Sequence, residues 1–297
     1  MSASSVAERN DLTLSKRRSL RYKLRPLLRD KWASASVLFL IVIVIMAITA
    51  GLFVPDDINS PDFGARLLPP LTDGHIAGTD QLGRDVFGRL WLGSRVSLVV
   101  GFGTVFFALL IGVPIGMVAG YFGGWFDTIL MRLVDVQLSF PFILLALTIN
   151  AIMGLGLRNI LITLVIVGWI EYARIARGET LIVREREYIQ AAHVSGAREW
   201  AVILRHILPN VTTPLIVIGT LQVARFIIAE ASISFLGFGV QPPTPAWGSM
   251  VSDGLKFILS AWWLITFPGL MLALVALAVN ITGDWLRDTL DPRIRNR

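Results

Sequence analysis

Apolar residues gather into long runs along this chain, with polar and charged residues concentrated in the stretches between them. Six runs are long enough to cross a bilayer as helix, which takes about 20 residues. They fall at residues 32–54, 96–119, 133–153, 160–175, 211–236 and 262–280. The first is the cleanest, with no charge between Val37 and Ala50. A secretory signal is the alternative for that run, but its apolar core would span only about 7–15 residues. This run is longer, and a polar stretch precedes it. The fourth run is the weakest, because Glu171, Arg174 and Arg177 crowd its end. The pattern predicts an all-α, polytopic membrane protein with six transmembrane helices.

Composition agrees. Of the 297 residues, 54% are hydrophobic and only 16% are charged, against about 25% charged in a soluble domain. Such a chain is too apolar for disorder. With no Cys, a disulfide framework, thiolate metal sites and Cys nucleophiles are excluded. The net charge of +6 would suggest nucleic acid in a soluble protein, but its distribution points elsewhere. Twenty Lys and Arg fall on one side of the predicted spans and six on the other, with Arg225 inside a span. The positive-inside rule then places both termini in the cytoplasm.

Three connections stand out. The first external one, residues 55–95, carries six Asp and an alternation of Asp80, Arg84, Asp85 and Arg89 among glycines. That pattern reads either as a compact salt-bridged loop or as a docking surface for an external partner. Residues 237–261 contain Pro242, Pro243 and Pro245, which forbid regular helix. Trp247 and Phe238 there suggest interfacial anchoring, a docking contact or an external gate.

Residues 171–210, on the cytoplasmic side, are too long for an idle turn. A short helix is expected from Glu187 to Ser195, broken at Gly196. A second is expected over residues 197–206, with Trp200, Ile203 and Leu204 on one face. Pro209 is expected to stop it before the fifth span. The exposed small residues Ala191 and Ala192 suit insertion into a partner's groove, although an interfacial amphipathic helix also explains the pattern.

These residues carry a resemblance. Gln190-Ala191-Ala192, then Gly196, then His206-Ile207-Leu208-Pro209 resembles the conserved-loop motif of ABC importer permeases. That motif has Glu in place of Gln190 and Ile in place of His206. Residues 78–98, 237–254 and 267–293 resemble the same family's peptide branch, which also includes permeases for nickel and glutathione. The match is to the C-type subunit of dipeptide and oligopeptide permeases.

The resemblance implies a type I importer fold that translocates di- or oligopeptides across the cell inner membrane. It implies a B-type permease partner, two cytoplasmic ATPase subunits and an extracytoplasmic solute-binding protein. It makes Gln190, Ala191, Ala192, Gly196, His206, Leu208 and Pro209 the loop that couples to an ATPase. Its domain division is a cytoplasmic tail (1–31), an N-terminal helix with external loop (32–95), the permease domain (96–285) and a second tail (286–297).

Charges within spans are costly and invite functional hypotheses. Asp135 is expected to pair locally with Arg132, three residues before it, or to line a path or gate. Arg225 and Glu230 lie about 140° apart around one helix and should not pair with each other. Partners on neighbouring helices, or a translocation path, are implied. Gly112, Gly116 and Gly120 share a face and predict close helix packing. Pro114, Pro141 and Pro268 are expected to kink their helices.

No phosphate-binding loop of the Walker type is present. ATP and Mg²⁺ are therefore expected on partner ATPases, with no cofactor or metal bound by this chain. His75, His193 and His206 are expected in loops on two sides of the membrane, which argues against a shared metal site. Two other classes remain as rivals. A secondary transporter would show inverted repeats and proton-relay carboxylates, and an intramembrane enzyme would show a cluster of His, Asp or Glu within its spans.

Overall fold

The computed structural model describes residues 30–290. Most of the basic N-terminal tail, together with Arg293, Arg295 and Arg297, lies outside the described residues. Five helices are long and apolar enough to cross a membrane, and a bent pair makes up to six. Among the described residues there are no strands, only two isolated bridges, Thr72–His75 and Thr79–Asp85.

Helix α1 (Lys31–Phe53) starts at Asp30, whose carboxylate accepts from the Trp32 and Ala33 amides. Its far end is held by α2 (Val86–Phe122). Trp91 Nε1 donates to Met46 O at 2.7 Å and Arg95 Nε to Ala47 O at 2.6 Å, which sets a cation near a helix C-terminus. Helix α2 is capped by Asp85, which accepts from the Gly88 amide. Its 37 residues make about 55 Å of helix, well beyond a bilayer core of about 30 Å.

The third predicted span is not one helix. It is α3 (Gly124–Leu138) and α4 (Phe142–Met153), which meet at 94°. Pro141 lacks an N–H and pushes Phe140 out of helical geometry. Helix α5 (Leu157–Arg184) continues far past residue 175. Its charges do not end it, because Arg174 and Arg177 find carboxylates on α3 and Glu171 finds Arg225.

After the short α6 (Glu187–Val194), the chain enters α7 (Glu199–Val202), a π-helical turn (Ile203–Ile207) and α8 (Leu208–Phe235). These three form one continuous rod, so Pro209 does not stop the helix. The Leu208 amide bonds Ile203 O in an i→i+5 step. The wider turn makes room where a proline ring would otherwise press on the Arg205 carbonyl. A small outer helix α9 (Trp247–Gly254) and the last long helix α10 (Trp263–Leu290) complete the bundle.

Helices α2, α5 and α8 form the centre. A Cβ on Gly112, Gly116 or Gly120 would stand 2.3, 2.1 and 2.7 Å from the carbonyl oxygens of Trp169, Ala173 and Arg177. The glycine face therefore packs backbone to backbone against α5, as small residues allow in lipid. Gly168 gives the same room to the Phe226 ring of α8.

Candidate functional site

The external loop folds around Asp80. Its Oδ1 accepts from the Leu82 and Arg84 amides, and its Oδ2 from Arg84 Nε at 2.7 Å. Arg89 Nε lies 3.7 Å from the same oxygen. Trp263 Nε1 donates to Thr79 O, and Trp247 Nε1 to Leu90 O, so the loop is fastened to α2, α9 and α10. Burial raises the Asp253 carboxyl above its ordinary range, against the opposing pull of Arg89 and Arg84.

This geometry corrects the docking assignment. Asp80, Arg84 and Trp247 are buried and offer no surface to a partner. Asp85 is half-buried, caps α2 and bonds His75 Nδ1 at 2.9 Å. The alternating charges satisfy one another inside a compact loop. Trp247 is fully enclosed and anchors the bundle core, so it is not at an interface.

At the opposite end, α6 hangs from the bundle by one buried side chain, Ile189. Gln190, Ala191, Val194 and Gly196 are exposed, Val194 almost completely. Gly196 turns the chain with φ of +77°, where other residues are strained. Tyr121 at the end of α2 steadies the unit through hydrogen bonds with His193 and Glu199. His193 lies in α6 and His206 in the π turn, so neither is in a loop. The expected Trp200–Ile203–Leu204 face is divided. Ile203 is buried while Trp200 and Leu204 remain exposed. Leu208 and Pro209 open α8.

Within the spans, Asp135 pairs with Arg174 of α5 at 2.5 Å, not with Arg132. Arg225 and Glu230 do not pair with each other. Arg225 bonds Glu171 of α5, and its guanidinium lies 4.5 Å from the centre of the Phe142 ring. Gln222 donates to the second oxygen of Glu171. Glu230 is fully buried, with one carboxylate oxygen accepting from Ser234 Oγ at 2.6 Å. It therefore lines no path within this chain. Gln222 and Phe142 carry no signal in the sequence pattern, and Glu171 reads there only as a charge crowding the end of the fourth run. The available signal was the spacing of Glu171, Arg174 and Arg177, every third residue along an otherwise apolar run.

Residues 112–296 match the family described as "binding-protein-dependent transport system inner membrane component". The chain belongs to this family of permeases. Residues 20–70 match the N-terminal transmembrane domain of oligopeptide transport permease C. The chain is 39% identical to a glutathione transport system permease protein of Pectobacterium atrosepticum, over 92% of this chain and 90% of that one. It is 41% identical to a dipeptide transport system permease protein of Bacillus subtilis, over 91% and 85%. A probable D,D-dipeptide transport system permease of Escherichia coli shares 39% identity, over 87% and 86%.

Among solved structures, a chain of the MetNI methionine ABC transporter in an inward-facing conformation aligns with a TM-score of 0.54 at 19% identity. The alignment covers 68% of this chain and 97% of that one, and it shows the shared importer-permease fold. The family permease is accordingly a multi-pass inner-membrane protein of an ABC transport system.

Proposed function

We propose that this chain is the C-type permease subunit of an ATP-driven, binding-protein-dependent importer of di- and oligopeptides. A B-type permease would complete the membrane pore, and a solute-binding protein would deliver cargo from outside. Two cytoplasmic ATPase subunits would bind and hydrolyse ATP with Mg²⁺, since this chain carries no phosphate-binding loop of its own. The 20-to-6 distribution of Lys and Arg supports cytoplasmic termini.

The observation that carries the reading is α6. It projects from the end of the bundle, with Ala191 exposed and Ala192 half-buried, on one buried side chain, Ile189, and beside a left-handed turn at Gly196. The loop from Gln190 to Gly196, with the Tyr188 ring of α6 6.2 Å from that of His206 and with Leu208 and Pro209 opening the rod that follows, suits a knob seated in an ATPase groove. Movement of that groove on ATP binding would pass through the continuous rod from Glu199 to Phe235 and alternate access to the path. Peptide cargo is supported by the dipeptide permease relatives, and the glutathione permease relative supports a γ-linked tripeptide as the second reading.

Gly196→Phe tests the coupling role. A Cβ at Gly196 meets nothing of this chain within 4 Å, so a larger residue starts into open space on the side offered to a partner. The left-handed backbone adds about 1–2 kcal/mol of local strain. Peptide uptake should collapse while the membrane level of the permease holds. Uptake at the wild-type rate would refute the assignment.

A further inference from the structure

The Arg225–Glu171 pair lies near the middle of two long apolar helices, and with the bilayer edge at Phe235 it falls at the depth most hostile to charge. Arg225 is ten residues from the end of α8 at Phe235, about 15 Å of helix, or half of a hydrocarbon core of about 30 Å. Glu171 is near the midpoint of α5. Yet the pair is not sealed inside the chain. The Arg225 side chain is 42% exposed and that of Glu171 28%. Lipid would penalise this exposure, and intramembrane charges face a protein interior or a water-filled cavity.

A second observation marks the same place. The α3–α4 break leaves Ser139, Phe140 and Pro141 exposed and non-helical. Irregular backbone at membrane depth is tolerated only within protein or along a cavity. The next residue, Phe142, carries the ring that lies against Arg225. Broken helix and exposed ion pair therefore share one face, which has to be covered by protein or to line a water-filled path.

The geometry points to Arg225 and Glu171 as a binding site for the two ends of a zwitterion, which deepens and rests on the peptide-importer reading. Arg225 spends one nitrogen, Nη1, on Glu171 and Gln222. Among the described residues its Nε and Nη2 have no hydrogen-bond partner, so two donors remain for a peptide carboxylate. Before cargo arrives, the Phe142 ring lies against the guanidinium and Gln222 donates to the Glu171 carboxylate. Glu171, once Arg225 turns to the cargo, accepts the α-ammonium. An unloaded path keeps the two charges neutralised by each other, and a free peptide exchanges one ion pair for two. Arg174–Asp135, one turn further along α5 and also half exposed, repeats the arrangement toward the end of the helix at Arg184.

The test uses the assembled importer, with both permeases and both ATPases, in lipid nanodiscs without binding protein. Labelled dialanine binding is measured, with dialanine, dialanine amide and N-acetyl-dialanine as competitors. In the wild type each capped form should compete at least about tenfold more weakly than dialanine, the loss of one charge-assisted contact. Arg225→Gln should abolish discrimination against the amide and keep that against the N-acetyl form. Glu171→Gln should do the reverse. Equal competition in the wild type, an equal loss toward all three ligands in both variants, or discrimination that survives both substitutions would overturn the proposal. ATP-driven uptake of dialanine by the same complex with its binding protein, in vesicles, is measured in parallel. Uptake without detectable binding sinks the site alone. Absence of uptake sinks the peptide reading beneath it.

Discussion

Gly116 of α2 and Ala173 of α5 are so closely packed that a Cβ on the glycine would stand 2.1 Å from the Ala173 carbonyl oxygen. The obstacle is helix backbone, which cannot turn aside as a side chain can. Gly116→Val should therefore separate α2 from α5 and cost about 1–3 kcal/mol or more. Gly178, on the same α5, is the control. A Cβ there meets nothing within 4 Å, and Gly178→Ala should stabilise the helix by about 0.8–1 kcal/mol. Thermal midpoints of the detergent-purified protein should move in opposite directions for the two variants.

Trp247 offers a second measurement. Its ring is enclosed and its Nε1 donates to Leu90 O at 2.9 Å. Trp247→Phe removes that bond, leaves Leu90 O only its bond within α2, and should cost about 0.5–1.5 kcal/mol. Binding-protein affinity for the folded complex should be unchanged. A selective loss of that affinity at wild-type stability would restore the docking role that burial argues against.

Asp80 neutralises Arg84 and stands near Arg89, all three side chains being buried. Asp80→Ala leaves two enclosed guanidinium groups facing each other. A loss of about 3–5 kcal/mol is expected, as when one partner of a buried pair is removed. The same change at Asp135, half exposed against Arg174, should cost much less, because exposed pairs contribute only about 0–1 kcal/mol. Chemical denaturation of the two variants side by side reads the difference.

The energy source separates an importer from an ion-driven carrier. With ATP clamped, collapse of the proton gradient should leave uptake intact, whereas loss of uptake would favour a secondary transporter. Cargo is measured on the purified binding protein, by titration with dipeptides, glutathione and Ni²⁺. Tight binding of Ni²⁺ with none of peptide would redirect the function within the same importer class.

Some of this architecture was legible because it repeats with the helix. The glycines at 112, 116 and 120 recur every fourth residue, and periodicity alone places them on one contact face. The helix from Glu187 and its break at Gly196 were equally local, since a left-handed turn favours glycine whatever surrounds it. Pro209 was misread for the complementary reason. Its local preference is to end a helix, but a π turn upstream absorbs it. The charges at 171, 174 and 177 suggested the end of a span, because a lone chain cannot show which carboxylate on another helix awaits each arginine.

By itself the sequence determined the membrane class, the apolar runs and the short helix before Gly196, since each depends on composition or on residues within a few positions. The tertiary structure decided which polar groups are free to act. It enclosed Asp80, Arg84, Trp247 and Glu230 and left Arg225 and Glu171 partly exposed. Burial depends on contacts between distant segments, and among these polar residues it separates those that hold the fold from those that can meet a ligand.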